Sequence, residues 1–217
     1  MAARTLRLFA DRLAPKSVLA APLPAVNRVV YVVEGAATIR AAGQAATLAG
    51  NSAWHGTVPC EVAAGNRGAT LLRWELVPTD APAGEGAEST LALSRAVTLT
   101  QPGGYLMRCD RVDFPAGGIA YTHTHRGPGI RCLLAGELRV EVNGESQAIA
   151  PGGAWFEAGP DPVLARASER EPTSFVRVMI LPRELKGKSS IRYVRPEDEA
   201  KPKTQTYQVF CDEFITP

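Results

Sequence analysis

The chain has 217 residues, 45% of them hydrophobic, and a formal net charge of +2. That near-neutral balance gives no electrostatic footprint for nucleic acid or an anionic membrane surface, and no apolar run approaches the roughly 20 residues of a membrane-spanning helix. Twenty glycines and 17 prolines among short runs of Val, Leu and Ile favour an all-β sandwich or barrel over a helical bundle, with length for one large domain or two small ones.

Residues 1–22 combine early arginines with a later run of small residues, but Asp11, Arg12 and Lys16 interrupt the apolar core that a signal peptide needs. They are expected to form an ordered N-terminal arm of a cytoplasmic protein. From Leu23 a short-strand pattern begins: RVVYVVEG at residues 28–35, ATIRAAG to Gly43, and NSAWHG at residues 51–56.

The same pattern recurs 101 residues later. Gly35 falls on Gly136, Gly43 on Gly144, Ala53 on Ala154 and Trp54 on Trp155, and RWELVP at residues 73–78 matches RVMILP at residues 177–182 at a shift of 104. These coincidences read as an internal duplication. The first copy spans residues 23–80. A connector without apolar periodicity follows at residues 81–90, and the second copy spans residues 91–183. Residues 184–217 are a charged extension with apolar clusters at 191–194 and 207–210, expected to dock one or two strands on a sheet edge.

In the second copy, a turn is expected at residues 101–104. YLMRCDRVDF then places Leu106, Arg108, Asp110 and Val112 on one face and Tyr105, Met107 and Cys109 on the other. The next strand carries two of the three histidines, His123 and His125, and its two-residue period adds Tyr121 and Ile119 to their face. The Gly127-Pro128-Gly129 turn reverses the chain, and its missing side chains would open a pocket mouth. Trp54 and Trp155 read as core residues, and His55 as a structural or surface histidine. Cys60, Cys109, Cys132 and Cys211 lack the close spacing of a zinc knuckle or redox motif and are expected to be reduced and mostly buried.

HTHRGPGIRCLLAGE, with His123, His125 and Gly136, resembles the first motif of the cupin superfamily, and the stretch from Pro151 to Val163 resembles its second motif. The first copy resembles a degenerate cupin, with Pro22 and Pro24 in the places of the two histidines. The resemblance implies two tandem cupin-like barrels of the double-stranded β-helix, or jelly-roll, type. It also implies a site for a divalent metal: iron, manganese, nickel or zinc. The second copy departs from that pattern, with Gly129 where the family places its ligating glutamate and Pro162 or Val163 where it places a third histidine.

A mononuclear site needs about three protein ligands, so His123 and His125 require a third. Glu157, Asp110, Asp161 and Cys109 are chemically capable, and Glu157 is the leading candidate because a carboxylate on the facing strand would complete a His-His-Glu set. Arg131 shares strand parity with Gly129 and points into the barrel. It would bind a substrate carboxylate, with Tyr121 as a second substrate contact, or form an ion pair with Asp110 or Glu157. The leading expectation is a protein that binds a small carboxylated molecule in the second barrel, with or without metal-dependent dioxygenase, isomerase or lyase chemistry. The alternatives are a non-catalytic binding or sensor protein without a working metal, and a structural protein whose extension mediates assembly, as in a homodimer.

Overall fold

The computed structural model describes residues 2–82, 86–100 and 103–217. Residues 83–85 of the expected connector, and residues 101 and 102 of the expected turn, lie outside the described residues. The chain forms two compact units, Met1–Thr100 with Ile215–Pro217, and Gln101–Phe214. No described helix is long and apolar enough to cross a membrane.

The first unit is one six-stranded antiparallel sheet made of β1 (Ala2–Leu13), β2 (Asn27–Ala41), β3 (Gln44–Ala49), β4 (Ser52–Gly56), β5 (Cys60–Pro78) and β6 (Ser89–Leu99). Its order is β3-β2-β5-β1-β6, with β4 also paired to β2. Strands β2 and β5 are long enough to bend, and the register shifts on either side of Glu34 and Gly35 mark where they do so. Residues on both sides of that bend, including Val30, Ile39, Val62 and Leu71, share one apolar cluster.

The expected arm is therefore part of the sheet, since β1 lies between β5 and β6. Its ten-residue register with β5 pairs Phe9 with Arg73. Because β6 also pairs with β1, the contacts divide the chain after Thr100, and the expected connector falls between β5 and β6 inside the first unit. Apolar periodicity could not show this, because β6 is half-exposed along most of its length.

The second unit holds β7 (Tyr105–Phe114), β8 (Ile119–His125), β9 (Gly129–Ala135), β10 (Leu138–Val142), β11 (Glu145–Ile149), β12 (Ala154–Glu157), β13 (Val163–Ala167), β14 (Thr173–Pro182), β15 (Ile191–Tyr193) and β16 (Thr206–Ile215). They form two five-stranded sheets, β11-β10-β13-β8-β15 and β12-β9-β14-β7-β16. Val112, Phe114, Leu133, Trp155 and Phe175 from one sheet share an apolar core with Leu138, Val140, Val163 and Ala165 from the other. The extension supplies an edge strand to each sheet, β15 beside β8 and β16 beside β7.

The backbone repeats with the sequence. Gly35 and Gly136 both have positive φ (+79° and +74°). A Cβ would lie 2.2 Å from the Gly68 carbonyl oxygen at Gly35 and 2.5 Å from Thr173 Oγ1 at Gly136, so both positions exclude a side chain. The β2–β3 and β10–β11 hairpins turn on Ala42-Gly43 and Asn143-Gly144, with all four φ angles positive, as a two-residue turn matched to strand twist requires.

Candidate functional site

The two histidines project into the second unit between its sheets, each 5% exposed. Their Nε2 atoms are 3.2 Å apart. His123 Nδ1 is 2.7 Å from the Tyr121 carbonyl oxygen, which only accepts hydrogen bonds, so the proton of the neutral ring is on Nδ1 and its Nε2 presents a lone pair. His125 then donates through Nε2, and its Nδ1 accepts from the Ser190 hydroxyl at 3.3 Å.

Burial lowers the pKa of both rings. The neighbouring Arg177 and Arg131 lower His125 further, well below the ordinary histidine range, whereas Glu157 partly offsets the shift at His123. Both imidazoles are neutral at pH 7. Between the folded value and the ordinary 6.5, the unfolded chain binds more protons, so the stability these rings contribute is full above about pH 6.5 and is lost as pH falls below it. The unfolding free energy should therefore drop between pH 7.5 and 5.5, with a slope of up to about 1 kcal/mol per pH unit for each ring, and the melting temperature should fall with it. A His123→Gln/His125→Gln variant should show a flatter profile in that window.

Tyr121 does not join them. Val163 pairs with His123 and Ala165 with Ala120, so β8 carries one extra residue against β13, and this bulge breaks the alternation below His123. Ala120 therefore lines the interior with the histidines, and the Tyr121 ring lies 4.7 Å from Lys201 Nζ and 5.9 Å from Lys203 Nζ.

Glu157 is buried on β12, directly opposite Gly129 in the β9 register. Its Oε1 accepts from Trp155 Nε1 at 2.9 Å, and its Oε2 lies 3.4 Å from His125 Nε2 and 2.7 Å from Arg131 Nη2. The Arg131 contact is close but too poorly aligned for a hydrogen bond, so it acts as an ion pair. Arg131 Nη1 donates to the Gly129 carbonyl at 2.6 Å, and Nε has no hydrogen-bond partner among the described residues. Burial lowers the guanidinium pKa to about 10, against the opposing pull of Glu157, so it is charged at pH 7. Of the two carboxylates expected as ion-pair partners for Arg131, Glu157 is the one it meets. A substrate carboxylate would have to displace that pair.

The metal expected from the fold does not fit this arrangement. Among the described residues no group of three His, Cys, Asp or Glu side chains is placed to hold an ion, and the one carboxylate beside the histidines is held by Arg131 and Trp155. The other candidates do not replace it. Asp110 is held bidentately by Arg177 (Nε to Oδ1 2.6 Å, Nη2 to Oδ2 3.3 Å), and Asp161 and Cys109 do not line the interior. Burial pushes the Cys109 thiol well up.

The space between the histidines and the core is a cavity of about 20 Å³, enough for one water. Arg177, Ile191 and Tyr207 form a wall between it and a second chamber of about 460 Å³. That chamber lies between β7, β14 and the extension. Its lining includes Ile191, Tyr193, Tyr207 and Val209, four cationic side chains (Arg108, Arg177, Lys188 and Lys203) and two acidic ones, Asp110 and Asp212. Arg108 is spent on Asp212 and two backbone carbonyls. Lys203 Nζ is spent on three carbonyls. Arg177 gives Nε and Nη2 to Asp110, and no bond from its Nη1 is found among the described residues.

No family model and no curated protein matches the chain. Solved structures do. A variant of oxalate decarboxylase from Bacillus subtilis superposes with a TM-score of 0.66 at 11% identity, covering 92% of this chain and 74% of that one. A variant of salicylate 1,2-dioxygenase from Pseudoaminobacter salicylatoxidans gives 0.57 at 13%, covering 87% and 73%. AerE from Microcystis aeruginosa gives 0.61 at 12%, covering 82% and 88%. The first two are cupin-fold proteins, and the sheets described above match theirs. The chain has the cupin fold.

The counterpart of the histidine site in the first unit is filled by an ion network. Arg28, at the place of Gly129, and Arg73, at the place of Arg177, both bond Glu75, and Arg73 also bonds Asp11. In the second unit, the glycines of the 127–129 turn serve packing rather than openness, since a Cβ on Gly127 would lie 2.1 Å from the Ile180 carbonyl oxygen. Arg177 and the extension residues around it were not singled out from sequence. The only signal was the alignment of Arg177 with Arg73 in the repeat, which gives position without partners.

Proposed function

We propose that the second unit binds a small carboxylated molecule in the 460 Å³ chamber at the mouth of its cupin barrel, with Arg177 as the anion contact. One observation carries this reading: the chamber shares Arg177, Ile191 and Tyr207 with the histidine cavity, and among the described residues Arg177 keeps one terminal nitrogen free on that boundary. The chamber has the volume of a small-molecule site, and its aliphatic and tyrosine walls beside one free guanidinium nitrogen suit an apolar body with an anionic end. The 20 Å³ cavity behind it has no room for such a molecule. This is the binding-protein form of the expectation, within a duplicated, bicupin chain.

A metal-dependent dioxygenase, isomerase or lyase reaction is the weaker reading, because the carboxylate it needs is committed to Arg131. The extension, with β16 as an outer strand carrying the half-exposed side chain of Phe214, is the surface through which a homodimer would form. Sizing of the full chain tests that part.

Calorimetric titration with paired carboxylates and their amides, for example benzoate against benzamide, tests the binding reading. Carboxylates should bind, amides should bind more weakly, and Arg177→Met/Asp110→Asn should weaken carboxylate binding about 10–100-fold. The double change keeps the buried charge balanced, so the loss is not one of folding. Equal binding of acids and amides, or no loss in the variant, would reject the reading.

A further inference from the structure

We infer that Arg131 is the barrel's built-in cation: its guanidinium neutralises Glu157 in place of a divalent metal, and its removal would turn His123, His125 and Glu157 into a metal-binding site. The inference concerns the barrel interior and stands whether or not the chamber binds a carboxylate.

Gly129 is where it begins. A Cβ there would lie 2.6 Å from the Val178 carbonyl oxygen, 2.8 Å from Met179 Cγ and 3.0 Å from Arg131 Nη1. The place the family gives to a glutamate is thus closed by β14 on one side and by the guanidinium on the other. A carboxylate is present all the same, supplied across the sheet by Glu157, the residue that pairs with Gly129. Glycine, arginine and glutamate form one coupled set, in which the missing side chain makes room for the guanidinium and the guanidinium fixes the carboxylate.

Spacing and charge give the two halves of the prediction. Zinc-type bonds of about 2.0–2.2 Å at tetrahedral angles separate neighbouring donors by about 3.3–3.5 Å. The distances from His123 Nε2 to His125 Nε2 and from His125 Nε2 to Glu157 Oε2 are 3.2 and 3.4 Å. The two pairs that His125 makes are therefore near ligand spacing, and Glu157, once released by Arg131, has to move against His123 to complete the set. Charge keeps the set from closing on an ion: Arg131 balances and holds Glu157, Arg177 balances Asp110, and a divalent ion would add two uncompensated charges to a dry interior. Without Arg131 the Glu157 charge is unbalanced. His125 then needs only to move its proton to Nδ1, where Ser190 Oγ can accept it, for both Nε2 lone pairs to face the ion.

The test uses the full chain, purified without chelators or an affinity tag, titrated with Co²⁺ and Zn²⁺. Wild type should take up less than a tenth of an equivalent. Arg131→Met should bind one equivalent, show cobalt-ligand bands in the visible range, and gain several degrees of melting temperature with Zn²⁺. Adding His123→Ala should abolish both effects. The charge-neutral Arg131→Met/Glu157→Gln variant should fold without metal and bind none. One equivalent bound by wild type as tightly as by Arg131→Met would overturn the inference. So would an Arg131→Met chain that stays metal-free, or that stays unfolded with Zn²⁺ present.

Discussion

Glu157→Gln is expected to destabilise the second unit by about 3–5 kcal/mol in denaturant unfolding, although the substitution is nearly isosteric. The glutamine can still accept from Trp155 Nε1, so the packing and one hydrogen bond survive. What is lost is the charge opposite Arg131, whose side chain is fully buried and whose Nε already lacks a partner among the described residues. A buried guanidinium without a counter-ion carries its desolvation cost uncompensated. The pair itself contributes little net stability, so Arg131→Met/Glu157→Gln should recover most of the loss. A single variant as stable as wild type would show that the 2.7 Å contact does not hold in solution.

A loss of similar size, about 3–5 kcal/mol, is expected in the first unit for Asp11→Asn. Asp11 is fully buried and takes two bonds from Arg73, at 2.8 and 3.1 Å, and one from Ser89 Oγ at 2.6 Å. Arg73 also bonds Glu75 at 2.6 Å and lies with its guanidinium carbon 4.2 Å from the Phe9 ring centroid. Glu75 is shared with Arg28 at 2.8 Å, so two guanidiniums face two carboxylates, and removing either acid leaves an excess positive charge in a dry core. Burial alone would raise the Glu75 pKa, but Arg73 and Arg28 outweigh it and the net shift is downward. Its contribution is thus present above the ordinary carboxylate range and lost as pH falls through it. Denaturant midpoints for Asp11→Asn and wild type at pH 7 check the prediction, and an unchanged midpoint contradicts it.

The fold was readable because its signals are local. Two pairs of glycines at one spacing marked the duplication, and the structure gives both pairs positive φ; two-residue alternation in residues 105–114 placed Asp110 and Val112 on one face and Cys109 on the other. The Arg131 parity also carried through, along with its pairing to Glu157 as one of two named partners. Tyr121 was lost to a bulge, which a count of residues along one strand cannot reveal because it depends on the register with β13. The boundary after Thr100 was missed because pairing of β6 with β1 joins residues far apart in sequence. The chamber was missed for the same reason. Its walls come from β7, β14 and residues 187–212, and although the extension's apolar clusters pointed to docked strands, the space those strands enclose depends on which sheet edges they join.

The central claim is that the working pocket lies at the mouth of the second barrel and is anchored by Arg177. A crystal structure of the chain soaked with the tightest-binding carboxylate tests it most directly. The ligand carboxylate should lie within hydrogen-bond distance of Arg177 Nη1, with its apolar part between Tyr193 and Tyr207 and the Arg131–Glu157 pair intact. A ligand seated between His123 and His125 with that pair broken, or bound in the first unit, would contradict the account.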